Sequence, residues 1–378
     1  MRIVGYEIRK LLNWKVLGLV LLISLLFFEM FLRFNFEVFP NGRPTLDHFN
    51  VSKQMIDKYG NEMDETEFKN FKVTYEEEVQ KASGYLQSRD DFAAVDVTTY
   101  EQFREMDLSK EKLKKLHGDV IFHEEVDVFW ELQARDSIIE HYEKRKESFL
   151  RNTSEIDKPA WKENVVEGSS INAILPSFVH ENYLNLITML VILILLSVMI
   201  VVGRIHITDQ KNNAILLQYT THSGRNLFKK KIVASIVTAL LITTVYLVVF
   251  FILYSQNETG AFFDSSVHSF DGWFTFWVDI TFFQYIVLTV LGVYVLAIIT
   301  AAISTFLSRL VGSYISLIGV HVPAAVILIL LIREFLIRNL MSIQYPMYLT
   351  VCTYTGLLIL GSALLILRWI KERRIDIV

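Results

Sequence analysis

Six long apolar stretches, separated by polar segments, run through this 378-residue chain. A helix that crosses the roughly 30 Å hydrocarbon core of a bilayer needs about 20 apolar residues. Stretches near this length predict six membrane spans at residues 16–33, 183–203, 232–254, 282–307, 311–332 and 348–368. The pattern therefore predicts an α-helical polytopic membrane protein. The weakest division lies between the fourth and fifth spans, where Ser308 and Arg309 mark the only predicted turn.

The first span does not resemble a cleavable signal peptide. Glu29, Arg33 and several Phe residues follow its apolar core, and no small-residue cleavage site is present. We expect this span to remain in the protein as an anchor.

Lysine and arginine cluster on three flanks of the spans. These basic residues are Arg2, Arg9, Lys10 and Lys15; Arg204, Lys211, Arg225 and Lys229, Lys230, Lys231; and Lys371, Arg373 and Arg374. Because cytoplasmic flanks are enriched in Lys and Arg, we expect all three on the inner side, with both termini cytoplasmic. The predicted location is the cell membrane, with residues 34–182 extracytoplasmic. Residues 255–281 form an acidic outer loop without Lys or Arg, while Arg333 and Arg338 are exceptions that fall outside.

The segment 34–182 between the first two spans is long enough for a domain with its own core. Apolar residues recur every three or four positions at Phe68, Phe71, Tyr75, Val79, Ala82 and Leu86, and again at Val128, Leu132, Ile139, Tyr142 and Phe149. This spacing predicts two amphipathic helices within a mainly helical domain. His117, His123, Glu124, Glu125 and His141 do not match the spacing of a known metal motif, so we expect no metal there.

The net charge of −4 conceals an asymmetry. Residues 34–182 hold 31 acidic and 19 basic residues, a net charge of −12, while the remaining 10 acidic and 18 basic residues give +8. An acidic insert within a basic, apolar frame fits a membrane protein with one large water-exposed domain.

Two shorter segments are predicted at the membrane surface. Residues 1–15 combine an apolar stripe with cations, which predicts a cytoplasmic interfacial amphipathic helix; a simple positive flank is the alternative. Residues 333–347 interleave charged and apolar positions, which predicts outer re-entrant or interfacial helices, with an interfacial loop as the alternative. Residues 369–378 form a cytoplasmic tail.

Motifs for catalysis are absent from the sequence. There is no Walker A motif, no G-x-S-x-G, no H-E-x-x-H and no C-x-x-C. Cys352 is the single cysteine, which excludes an internal disulfide. We therefore expect neither an enzyme nor a cofactor on this chain, and no nucleic-acid partner, because the basic clusters all adjoin spans.

Polar residues inside spans are functional candidates by default. Glu29, His321 and Pro323 are the candidates for a translocation path. For Glu29 the alternative is snorkelling to the interface. For His321 it is a neutral imidazole hydrogen-bonded to a neighbouring helix, and for Pro323 it is a kink that serves packing.

The segment 204–231 between the second and third spans combines several signals. A polar start at Thr208 and Asp209 is typical of a helix N-terminus. An apolar patch follows at 215–219, then a break at Ser223 and Gly224, then a basic cluster. An apolar patch on a cytoplasmic helix is expected to dock into a groove of a partner protein, or alternatively to lie on the bilayer.

This segment resembles the corresponding one in ABC-2 type permeases, the membrane subunits of ATP-binding-cassette exporters. That family carries an acidic residue, a Gly-Thr pair, a Leu-Leu pair, a Pro-containing turn with Arg, and then Lys. Asp209, Leu216, Leu217, Arg225 and Lys229 to Lys231 match in order, whereas Asn212-Asn213 and Thr221-His222 replace the Gly and the Pro-containing turn. The stretch from Glu7 to Leu12 is similar to the family's interfacial helix.

The resemblance implies a function for the chain. Such a permease pairs with a second copy or a homologous permease, and the pair engages separate ABC ATPase subunits that bind ATP. The implied ATPase-coupling residues are Asp209, Ile215, Leu216, Leu217, Tyr219 and Arg225. A peptide, an antimicrobial compound, a lipid-like molecule or an ion is the expected exported substrate, and membrane lipid surrounds the chain. The alternative is a non-transporting sensor or scaffold with an extracellular ligand-binding domain.

Overall fold

The structure, a computed structural model, describes residues 2–124, 126–212, 226–270 and 275–374. These residues are mostly helical and form no β-sheet, although isolated β-bridges join Leu175 with Phe270 and Ser266 with Thr281. The α-helices are α1 (Arg2–Leu11), α2 (Trp14–Phe27), α3 (Arg33–Glu37), α4 (Thr45–Tyr59), α5 (Glu65–Gln87), α6 (Asp90–Ala93), α7 (Tyr100–Arg104), α8 (Glu111–Gly118), α9 (Asp127–Asn152), α10 (Pro159–Glu167), α11 (Ser177–Val202), α12 (Ile207–Lys211), α13 (Leu227–Tyr254), α14 (Phe282–Leu310), α15 (Tyr314–Leu331) and α16 (Met347–Arg374). The predicted helical class is confirmed.

Six helical segments of the described chain are long and apolar enough to cross a membrane. They are Trp14–Glu37, Ser177–Lys211, Leu227–Asn257, Phe282–Leu310, Tyr314–Leu336 and Met347–Arg373. Each coincides with one of the six spans predicted from the sequence. The chain thus has the architecture of an α-helical, multi-pass membrane protein.

The boundary between the fourth and fifth apolar helices differs from the prediction. Helix α14 continues through Ser308 and Arg309 to Leu310. Ser308 lies within the helix, and its hydroxyl accepts a hydrogen bond from the backbone N–H of His206 at 3.2 Å. Helix α15 begins only after Ser313, whose Oγ accepts from the N–H of Ser316 at 3.1 Å and so caps the helix.

The chain divides into two compact units. We call residues 1–37, 181–258 and 284–378 the membrane unit, and residues 38–180 and 259–283 the insert unit. The insert unit thus includes most of the segment 255–281, which the sequence analysis treats as a separate outer loop. Backbone and indole hydrogen bonds hold this segment there: Leu175 N–H donates to Ser269 O at 2.8 Å, and Trp161 Nε1 donates to the carbonyl oxygen of Trp277 at 3.1 Å.

Helix α11 forms the centre of the membrane unit. In its most apolar stretch 83% of the residues are buried, against 11% for the first apolar helix. Hydroxyl groups link α11 to its neighbours, since Tyr246 OH lies 2.6 Å from Ser24 Oγ on α2 and 2.8 Å from Ser197 Oγ on α11. Such bonds provide partners for hydroxyl groups that would otherwise be buried in an apolar bundle without a hydrogen bond.

Helix α1 packs along α13. Leu11 is fully buried, and Val4 and Ile8 are half-buried, whereas Arg2 and Arg9 are exposed. The apolar stripe that the sequence analysis assigns to the membrane interface is therefore engaged, at least at Leu11, in packing within the protein.

The insert unit is built around α9, which packs against α4 and α5. The two amphipathic helices predicted from the spacing are confirmed as α5 and α9. Asp64 and Glu67 form a capping box that starts α5, with the Asp64 carboxylate accepting from the Glu67 N–H at 2.7 Å. Between the two helices, the rings of Phe68 and Tyr142 stack with centroids 4.0 Å apart.

The histidines of the insert unit serve packing and local hydrogen bonding. The ring of His117 stacks on Phe103 with centroids 4.8 Å apart, and burial lowers the pKa of His117 below its usual value. His141 Nδ1 lies 2.8 Å from the carbonyl oxygen of Ser137, while His123 is exposed. Among the described residues, no three His, Cys, Asp or Glu side chains form a group that could hold a metal ion.

Residues 333–347 differ from the predicted pattern of short α-helices. A π-helical turn, Ile332–Leu336, extends α15, and turns then lead to α16. Hydrogen bonds to neighbouring helices satisfy polar groups here: Arg338 Nη1 donates to Asn185 Oδ1 at 3.2 Å, and Tyr354 OH donates to the carbonyl oxygen of Leu336 at 2.9 Å. These tertiary bonds replace the intrahelical bonds that separate helices would make.

Candidate functional site: a buried ion network beside residues 213–225

Asp209 lies at the centre of a buried ion network in the membrane unit. Its carboxylate accepts from Lys10 Nζ at 2.9 Å and forms an ion pair with Lys231 Nζ. Lys10 also pairs with Glu7 at 2.6 Å. Glu7 and Lys10 belong to α1, Asp209 to α12, and Lys231 to the beginning of α13. Three helices therefore meet at this network.

Among the described residues the network is charge-balanced, because two carboxylates face two ammonium groups. Lys231 and Asp209 are 3% and 6% exposed, so each has lost nearly all of its hydration. A buried charge is tolerated only when it is paired and hydrogen-bonded. Lys231 Nζ also donates to the carbonyl oxygen of Ile205 at 3.4 Å, so the same ammonium contacts two points of the chain that leaves α11.

A second ion group lies in the same unit. Glu372 on α16 accepts from Arg309 on α14 in a bidentate arrangement, with distances of 2.8 and 3.1 Å, and from Arg368 Nε at 2.9 Å. Bidentate pairs of this kind fix orientation as well as distance. Since His206 donates to Ser308 on α14 and stacks on Phe228 of α13, residues 206–209 are tied to both helices.

Five of the six predicted coupling residues lie outside the described residues. They are Ile215, Leu216, Leu217, Tyr219 and Arg225. Asp209, the sixth, is described. The structure does describe both flanks of residues 213–225, and the pair of Asp209 with Lys231 joins one flank to the other. A force applied between them would consequently reach α11, α13 and α1 through one short, buried contact.

The three predicted path residues do not converge. Glu29 is exposed, and its Oε2 accepts from Arg33 Nη1 at 2.9 Å, one helical turn away. Pro323 lies within α15 and is exposed. His321 lines a cavity of about 510 Å³, whose wall contains neither Glu29 nor Pro323.

The environment of His321 differs from the expected hydrogen bond to a neighbouring helix. Its Nε2 is buried and has no hydrogen-bond partner among the described residues. The imidazole ring lies against Gly203, where a Cβ would overlap the ring and would lie 2.6 Å from the carbonyl oxygen of Met199. A glycine at 203 is thus what allows the ring to approach this closely.

The sequence analysis did not assign Lys10, Lys231 or Arg204 to a site. It used all three as topology signals, and it used Lys10 and Lys231 also within the family resemblance. One signal could have separated Lys231 from its neighbours. It lies at helical spacing from Phe228, Ala234, Ser235 and Thr238, all of which are buried. A lysine on the buried face of an apolar helix requires a carboxylate partner.

The network around Asp209 is the best-defined polar site of the described membrane unit. It lies where the sequence resemblance places the coupling segment. Among known proteins, no family model, curated protein or solved structure matches this chain.

Proposed function

We propose that this chain is the transmembrane permease subunit of an ABC-2 type exporter. It moves a peptide, an antimicrobial compound, a lipid-like molecule or an ion out of the cell. ATP binds to a separate ATPase subunit, and a second copy or a homologous permease completes the membrane part. In this proposal the chain lies in the cell membrane with both termini cytoplasmic and residues 34–182 outside, and it has no enzymatic activity, cofactor or nucleic-acid partner of its own.

The observation that carries the proposal is the ion pair between Asp209 and Lys231 at the flanks of residues 213–225. A coupling segment has to pass the movement of an ATPase into the transmembrane helices. A partner that binds the apolar residues 215–219 would push on both flanks together, because the ion pair joins them. The buried, charge-balanced network then transmits the displacement to α1, α11 and α13.

Transport also requires that the ATPase bias two conformations of the permease to different extents. A ligand with equal affinity for both states shifts neither. The network supplies an element that such a bias can act on, since moving α12 away from α13 would expose two buried charges. Conformations in which the ion pair is open therefore differ in free energy from conformations in which it is intact.

The alternative is a non-transporting membrane sensor or scaffold. The separate core of the insert unit favours it, because a domain with its own packing is able to bind a ligand by itself. This alternative requires neither an ATPase partner nor a function for residues 213–225. The two proposals therefore differ in what a change in that segment does.

The test combines association with transport. The chain is purified from its own host in a gentle detergent, and co-purifying ATPase subunits are identified by mass spectrometry. The variant Leu216→Asp/Leu217→Asp should lose the ATPase and lose substrate export from cells, while its amount in the membrane stays unchanged. Leu108→Asp is the matched control, because Leu108 is an exposed leucine of the insert unit. Unchanged ATPase association and export in the double variant would refute the coupling assignment, and absence of any ATPase would favour the sensor.

A further inference from the structure

A cavity of about 510 Å³ opens between α2, α11 and α15 in the membrane unit. Most of its wall is apolar and includes Leu19, Met199, Val322 and Ala325. Three polar side chains also line it: Arg204, His321 and Tyr314. The volume lies within the range of small-molecule sites, which bind apolar groups along their walls and orient them by a few polar contacts.

Arg204 is a cation that no carboxylate of the described residues contacts. The structure gives its guanidinium no ion pair or side-chain hydrogen bond among the described residues, and its Nε is buried. An unpaired charge inside an apolar bundle is costly, so intramembrane cations normally face an anion or water. The nearby Nε2 of His321 is a second buried nitrogen without a partner. Two unsatisfied nitrogens in one cavity indicate a ligand that carries hydrogen-bond acceptors, and the cation indicates that the ligand is negatively charged.

Arg204 and Tyr314 lie at one end of the cavity, where Arg204 is two residues beyond the last residue of α11 and Tyr314 is the first residue of α15. Val16, near the beginning of α2, lines the same cavity. His321 is seven residues beyond Tyr314, about 10 Å further along α15. The cavity extends along α15 to Ala325, which is 11 residues beyond Tyr314 and therefore about 16 Å along the helix axis. This length is about half of the roughly 30 Å hydrocarbon core of a bilayer. The cavity consequently has a cationic end at the helix termini, and its whole length along α15 is about that of one leaflet.

We propose that this cavity binds one anionic phospholipid taken from the surrounding leaflet. The phosphate accepts hydrogen bonds from Arg204 and His321, and one acyl chain lies along Leu19, Val322 and Ala325. Basic pockets between transmembrane helices are suited to anionic headgroups in this way. A free phosphate would leave the apolar wall uncovered, and an uncharged lipid would leave Arg204 unpaired. The proposal does not depend on whether the chain is an exporter.

Gly203 places His321 for this contact. Because the glycine has no Cβ, the imidazole ring packs against the backbone at the end of α11, next to Arg204. His321 on α15 therefore lies next to the residue that precedes Arg204, and both side chains line the same cavity. A ligand held there would bridge α11 and α15.

The test uses the full chain in nanodiscs that contain equal amounts of phosphatidylglycerol and phosphatidylcholine, followed by release into detergent and native mass spectrometry. We expect one phosphatidylglycerol molecule to stay bound. Arg204→Gln should reduce its retention by about tenfold, since a charge-assisted hydrogen bond to the phosphate is lost. Arg9→Gln is the matched control, because Arg9 is an exposed cation of α1 that attracts anionic lipid without a cavity.

A second pair of variants tests the apolar part and keeps the charge. Val322→Trp should fill the cavity and abolish retention, whereas Ile327→Trp, an exposed position of the same helix outside the cavity wall, should leave retention intact. This pair also decides the outcome if Arg204→Gln does not fold.

Three results would overturn the proposal. Equal retention of phosphatidylglycerol by the chain and by Arg204→Gln would show that the cation is not the headgroup site. Equal retention of phosphatidylcholine would show that charge does not select the ligand. Efficient disulfide formation between two copies carrying Val322→Cys, in a Cys352→Ser background and without bound lipid, would show that a second copy covers the cavity.

Discussion

Asp209 and Lys231 form a buried ion pair that joins the two flanks of residues 213–225. The pair connects α12 with α13, and Lys10 adds α1 from the other side of the same carboxylate. The helices α12 and α13 and, far from them in the sequence, the helix α1 thus depend on one carboxylate. Any change of charge at Asp209 must therefore alter both the stability of the membrane unit and the geometry at the flanks of the segment.

Removal of one partner should be costly. Lys231→Met leaves the carboxylate of Asp209 buried without its most deeply buried ammonium partner, and breaking a buried pair in this way costs about 3–5 kcal/mol. We expect a corresponding loss in the free energy of unfolding, measured by denaturant titration in detergent micelles. Lys230→Met is the control at the adjacent, partly exposed position. A loss below about 1 kcal/mol, the value typical of an exposed pair, would contradict the burial of this contact.

Replacing both Asp209 and Lys231 should separate the effect of the ion pair on stability from its proposed role in ATPase coupling. In Asp209→Leu/Lys231→Met the pair becomes an apolar contact, and Lys10 keeps Glu7 as its partner at 2.6 Å. Apolar replacement of a buried ion pair is often neutral, so we expect the double variant to be more stable than Lys231→Met. Export should still fail, because the apolar contact has no charges to expose when the flanks separate. Restored export with restored stability would show that the pair is structural alone.

The sequence predicted the membrane helices well because hydrocarbon imposes a length and an apolar composition on every span. It also predicted α5 and α9, since each buries one face and shows this in the spacing of residues such as Phe71 and Leu132. It placed the turn between α14 and α15 at Ser308 and Arg309, whereas Ser313 caps α15. Local sequence does not show whether a serine caps a helix or makes a tertiary hydrogen bond, because both roles use the same hydroxyl.

The site was predictable only in part. Asp209 was found from its position in a loose motif, but its partners were not, because Lys10 is 199 positions away in the sequence. The pairing depends on the packing of α1 against α13, which no local pattern records. The cavity beside His321 was missed for a similar reason. One of its lining residues, His321 on α15, packs against Gly203 just beyond the end of α11, and each of these residues alone is ordinary.

Gly203→Ala should destabilise the membrane unit. The added Cβ would overlap the ring of His321 and crowd the carbonyl oxygen of Met199, and overpacking of this kind costs about 1–3 kcal/mol. Gly18→Ala is the matched control, because a Cβ there meets nothing within 4 Å. Thermal unfolding in detergent measures both variants.

A double-mutant cycle assigns the cause of this loss. His321→Ala removes the ring but not the crowding at Met199, so Gly203→Ala in that background should lose part of its cost. Contacting residues typically show an interaction free energy of about 0.5–3 kcal/mol in such a cycle. Full additivity of the two changes would mean that the ring moves away freely, and the close approach of His321 to Gly203 would then have no energetic role.

The insert unit should lose stability on mild acidification because of His268. Its ring is 9% exposed and lies among Phe149 and Phe276, and neither ring nitrogen has a hydrogen-bond partner among the described residues. Burial lowers the pKa of His268 below its usual value of about 6.5, and the carboxylate of Asp279 offsets part of this effect. His141 and Arg145 line the small cavity that the ring shares.

The direction of the pH effect follows from which state binds the proton first. Below about pH 6.5 the unfolded chain protonates its histidine while the folded unit, with its lowered pKa, does not, so stability is lost as the pH falls through this range. Hydrogen–deuterium exchange of residues 259–270 in the full chain, corrected for intrinsic rates, should rise between pH 7.5 and 5.5. His268→Gln should remove much of this rise, and His123→Gln, at an exposed position, should preserve it. A rise that persists in His268→Gln would assign the pH response to other groups, because a glutamine cannot take up the proton.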